Sequence, residues 1–161
     1  MLALPPRRLV REGVPIVAIL LFWNLLAVFV DPHGIGGAVR NAGVVMAVLY
    51  VVVRGAGLAP EAVPPSTEDI GAVLWENARL AVPAGAWFLA ALVVYLLGTA
   101  LGTAVRRQFH FVSEVVTSLE GAFAGAGLGV VGLYAVATGF AAFDGGASST
   151  VPQADDRGVD S

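Results

Sequence analysis

Four long apolar runs, each bounded by charged or helix-breaking residues, constrain this chain more than any other feature. A helix crosses the hydrocarbon core of a bilayer with about 20 apolar residues, within a range of roughly 17–25. Residues 14–30 meet that length, preceded by Arg7, Arg8, Arg11 and Glu12 and ended by Asp31-Pro32. Residues 36–54 meet it when Arg40 and Arg54 snorkel to opposite interfaces, an interfacial or re-entrant segment being the alternative. Residues 81–104, closed by Arg106-Arg107, and residues 122–143 supply the third and fourth runs. Only 13% of the chain is charged and 57% is hydrophobic, against about 25% charged in a soluble domain. The expected fold is an all-α integral membrane bundle of four transmembrane helices.

Two stretches beside the spans show helical spacing with mixed polarity. Ile70, Val73, Leu74 and Ala81 recur at steps of three, one and seven, with Glu68, Asp69 and Glu76 elsewhere on the wheel. Ser66 is a suitable N-cap, and Pro83 marks a kink. Short amphipathic interfacial helices are therefore expected over residues 67–80 and, from Phe109, Val112, Val116 and Leu119, over 109–120. Residues 144–161, rich in Gly, Ser and Asp, read as a disordered acidic tail. Arg7-Arg8 before an apolar run also fits a twin-arginine signal, but no small-x-small cleavage site follows Val30, so the segment reads as an anchor.

Charge sets the orientation and narrows the function. With the N-terminus inside, Arg7, Arg8, Arg11, Arg54, Arg79 and Arg157 are cytoplasmic, against Arg40, Arg106 and Arg107 outside. The positive-inside rule thus places both termini on the cytoplasmic side of a cytoplasmic membrane. A net charge of −3 offers no basic excess for nucleic acid. All nine basic residues are Arg and there is no Lys, a composition resembling membrane proteins of salt-in halophilic archaea; a GC-rich genome gives the same bias. No Cys is present, which excludes disulfides, thiol nucleophiles and Cys-ligated metals.

Glycine spacing is the strongest local motif. Gly121, Gly125 and Gly129 share one face of the fourth helix, and Gly98 and Gly102 repeat the spacing in the third. Such small-residue seams let helix backbones approach closely, so these five glycines are expected to pack the third helix on the fourth, or to pair two copies of the chain. The run Gly125-x-Gly127-x-Gly129 resembles the glycine-rich helix of rotary-ATPase ring subunits over a handful of residues. The intramembrane carboxylate of those subunits is missing here, which sets the resemblance aside. Asn24 is the one amide inside the first span and reads as interhelical glue.

Candidate chemistry is sparse. His33 and His110 fall on the same side, each with a carboxylate near it, Asp31 and Glu114. Imidazole with carboxylate suits a transition metal such as zinc or copper, although no established ligand spacing is matched. No catalytic triad, phosphate loop or nucleotide unit is present. The expected role is a non-enzymatic accessory or scaffolding subunit of the lipid bilayer, associating with itself or with another membrane protein. The alternatives are a channel-like oligomer or permease component, and a metal-dependent membrane enzyme subunit.

Overall fold

The computed structural model describes residues 5–62, 70–102 and 110–148, and these form four helices. Helix α1 spans Pro6–Val30, α2 Gly36–Leu58, α3 Ile70–Leu101 and α4 His110–Ser148. Pro6 opens α1, where its missing N–H leaves no bond unmade and its fixed φ suits the first turn. The helix ends at Asp31-Pro32: Asp31 keeps helical angles (φ −57°, ψ −37°), but Pro32 brings no N–H to continue the i→i−4 ladder. The chain then turns through a 3-10 segment, Asp31–His33, and Gly34 at φ 74°, a left-handed conformation suited to glycine. A second 3-10 turn, Ala59–Glu61, follows α2.

Each helix contains a segment long and apolar enough to cross a membrane: Arg7–His33, Gly36–Glu61, Asn77–Ala100 and Val112–Phe143. Helices α3 and α4 run to 32 and 39 residues, well beyond the ~20 a crossing needs. The amphipathic stretches expected to run into or stack on the third and fourth spans are, where described, continuous with them as the first turns of α3 and α4. Residues 67–69 lie outside the described residues. Pro83 does not end α3; it forfeits one i→i−4 bond and is itself buried. Val116 seats on Gly98 of α3, so the approach to the fourth span is held in phase with it. Helix α4 also continues to Ser148, past Asp144 where the tail was expected to begin, and residues 149–161 lie outside the described residues.

The four helices do not surround a central space. Helix α4 packs on α1, α2 and α3, α1 packs on the other three, and α2 and α3 do not touch among the described residues. The α1–α4 seam therefore occupies the middle, with α2 and α3 on opposite flanks. Ala122, Ala126, Val130, Leu133 and Ala137, at steps of four, four, three and four, are fully buried in it. Ile16 and Leu20 of α1 fill the facing positions. Large apolar side chains cover the outside instead: Phe22 and Phe29 on α1, Val48 and Val52 on α2, Leu89, Val93 and Leu96 on α3, and Leu128 on α4 are all exposed. Apolar surface on every flank of the bundle is far beyond what a water-soluble monomer presents.

Candidate functional site

The polar chemistry of the bundle gathers where α1 begins and α2 ends. Arg8 and Glu12 are one turn apart on α1, and Tyr50 and Arg54 are one turn apart on α2. The hairpin folds near His33, so Glu12 and Arg54, each 21 residues from it, stand at one height. Trp23 and Gly43, each ten residues away, do the same and pack against each other. The Arg54 guanidinium straddles the Glu12 carboxylate, with Nε donating to Oε2 at 2.7 Å and Nη2 donating to Oε1. The Tyr50 hydroxyl donates to Oε2 at 3.3 Å. Nearer the end, Arg8 forks onto Glu61 of the second 3-10 turn, Nη2 donating to Oε1 at 3.1 Å and Nη1 to Oε2.

The two ion pairs differ in surroundings. Side chains of Arg8 and Glu61 are 38% and 49% exposed, so their pair is worth about 0–1 kcal/mol in water. Glu12 is only 11% exposed, although Arg54 is 42% exposed. A carboxylate so enclosed, accepting from a bidentate guanidinium and a phenol, clamps α1 to α2 with defined geometry. Neither Arg8 nor Glu12 stood out beyond its place in the flanking charges, and Arg54 was expected to snorkel outward. The available signal was the hairpin arithmetic, which sets a carboxylate opposite a guanidinium at equal depth.

Gly98 of α3 packs on α4 as expected, through Val116, but the α4 glycines meet other partners. Gly125 faces Leu20 and Gly129 faces Ile16, both on α1 rather than α3. Gly127 takes Phe88 of α3, a carbon at its Cβ position lying 2.9 Å from the ring. Gly132 meets Val51, and Gly55 of α2 meets Val136. Gly98 receives Val116, Gly121 has nothing within 4 Å, and Gly102 lies in the turn after α3, donating its N–H to the Thr99 carbonyl at 3.2 Å. A glycine-on-glycine seam between α3 and α4 is thus replaced by knobs from α1, α2 and α3 entering gaps around α4. The reason is rotation: residues 125, 129 and 122 share the α4 face that α1 covers.

Asn24 makes its hydrogen bond within α1. Its Nδ2 donates to the Leu20 carbonyl of its own helix at 2.7 Å, a bond that crosses no interface. Asn24→Leu is accordingly expected to change thermal stability in detergent by less than about 1 kcal/mol. His33 and Asp31 are exposed in the first turn. Glu114 is half-buried on α4 and has a partner of its own, and the His110 side chain lies outside the described residues. No group of three His, Asp or Glu residues able to hold a metal occurs among the described residues.

Among the described residues, one buried side-chain polar atom stands without a partner. The Trp87 indole stacks on Phe123, ring centroids 5.9 Å apart, and its edge lies against Gly13 of α1. Its Nε1 makes no hydrogen bond. Only glycine at position 13 lets the indole approach α1 so closely.

Comparison of the chain with protein-family models, curated proteins and solved structures finds no match. The class is therefore set by architecture alone: an all-helical protein with four helices long and apolar enough to span a membrane.

Proposed function

We propose that this chain is a multi-pass protein of the cytoplasmic membrane that acts as a non-enzymatic accessory or scaffolding subunit, with both termini cytoplasmic. The observation that carries this reading is the filled α1–α4 axis, flanked by α2 and α3. Among the described residues the middle of the bundle is taken up by the α1–α4 contact, which suits a packing role better than a path for a solute. Its enclosed carboxylate, Glu12, is used to hold two helices together, and its outward surface is apolar. Extraction in mild detergent followed by mass determination tests the role. A defined complex with a second membrane protein is the expected result, and a chain recovered only as a monomer would overturn it.

A channel-like oligomer or permease component is the second reading, and one observation favours it. Because α2 and α3 stand apart, α1 and α4 each present an outward strip between them, where a neighbouring chain could seat. A closed ring of identical chains in the same experiment would favour this reading.

The topology carries its own prediction. The start of α1 and the end of α2 lie at one end of the bundle, joined by Arg8 and Glu61. Reporters fused after Ser161 and within residues 62–65 are expected to read cytoplasmic, and one at His33 external. An external reading from 62–65 would contradict four crossings.

A further inference from the structure

Five arginines lie toward the end of the bundle where α1 begins, and two of them are already matched. Arg8 holds Glu61 and Arg54 holds Glu12. Arg7 and Arg11 of α1 and Arg79 of α3 are exposed and pair with no described residue. Trp87 abuts Gly13; Arg79, eight residues earlier on a helix running the same way, stands about 12 Å nearer the end, and Arg7, six residues before Gly13, about 9 Å nearer.

Each of these arginines heads an apolar strip. On α1 the exposed positions run Arg7, Arg11, Val14, Ala18 and Phe22, at helical steps of four, three, four and four. On α3 they run Trp75, Arg79, Val82, Ala86 and Leu89, at steps of four, three, four and three. Val14 is 54% and Val82 64% exposed, so the carbon surface directly beneath each guanidinium is open. Guanidinium groups one turn apart match a phosphate by geometry as well as charge, and the first turn of α1 adds its own preference for an anion. An apolar strip below a cationic head is complementary to a lipid that carries both a phosphate and a chain.

We propose that Arg7 and Arg11 form a binding site for anionic phospholipid headgroups, the acyl chains lying along Val14, Ala18 and Phe22. The site rests on the reading of the chain as bilayer-embedded, and its specificity is for negative headgroups over zwitterionic ones.

The test uses the full chain in mild detergent, with thermal stability followed on titration of phosphatidylglycerol or phosphatidylcholine. Phosphatidylglycerol is expected to stabilise at lower concentration than phosphatidylcholine. Each interfacial arginine contributes roughly fivefold to such binding, so Arg7→Gln with Arg11→Gln should raise the half-saturating phosphatidylglycerol concentration about 25-fold. Its phosphatidylcholine titration should not move. Arg40→Gln, exposed at the opposite end of α2, should leave both titrations unchanged. If the double variant does not fold, the native chain carries the test in ~0.05 and ~0.5 M salt, where screening should weaken only the phosphatidylglycerol response. Coincident titrations of the two lipids in the native chain would overturn the site while leaving the bilayer reading intact. An equal loss from Arg40→Gln would also overturn it. Absence of stabilisation by either lipid would overturn the site and count against the bilayer reading as well.

Discussion

Glu12→Ala is expected to destabilise the protein by about 1–3 kcal/mol, because it removes the shared acceptor of the Arg54 guanidinium and the Tyr50 hydroxyl, while Arg54, 42% exposed, can still turn to water. The enclosed position of Glu12 is what raises this above the value of a surface pair. Glu61→Ala removes the outer, half-exposed pair and should cost about 1 kcal/mol or less. Tyr50→Phe deletes one hydrogen bond and should fall between them, at about 0.5–1.5 kcal/mol. Thermal unfolding of the four proteins in one detergent checks the order. Exchanging the charges, Glu12→Arg with Arg54→Glu, should recover part of the loss, since the pair spans two helices and either direction closes the hairpin. If Glu12→Ala proves no worse than Glu61→Ala, the inner pair is not a clamp.

The second large effect concerns glycine. Gly125→Leu places a branched side chain where Leu20 already sits, and Gly129→Leu does the same against Ile16. Overpacking of this kind costs about 1–3 kcal/mol when neighbours can shift. Here the neighbours belong to the central α1–α4 seam, so the upper end of that range or more is expected. Gly121→Leu is the matched control, on the same helix and in the same spacing but with nothing within 4 Å. It should be neutral or mildly stabilising, as leucine favours helix over glycine. Equal losses at 121 and 125 would show that helix content and not the α1 contact governs both.

These results also mark how far the sequence reaches. The apolar runs are legible because length and polarity answer one physical requirement, and the helices cover all four. Proline 32 and Gly34 announce the first turn for local steric reasons, and that turn appears where expected. Helix neighbours are another matter. The spacing of Gly121, Gly125 and Gly129 reveals a face of small residues, but a face carries no label for its partner, and α1 rather than α3 covers it. Asn24 shows a related limit: its side chain has a carbonyl of its own helix within reach, and the sequence alone does not rank that bond against one across an interface. The Glu12–Arg54 pair lay in plain view in the hairpin geometry. It was passed over because each residue, taken singly, looks like an ordinary flanking charge.

Paired cysteines test the central claim, a bundle with α1 against α4 in the middle and α2 apart from α3. The native chain has no cysteine, so any introduced pair reports without background. Leu20→Cys with Gly125→Cys should crosslink within a single chain in native membranes, since these positions are in contact. Val48→Cys with Leu92→Cys, on the exposed faces of α2 and α3, should not crosslink within a chain. Efficient intrachain linkage of the second pair, with none of the first, would contradict the architecture and with it the proposed scaffolding role.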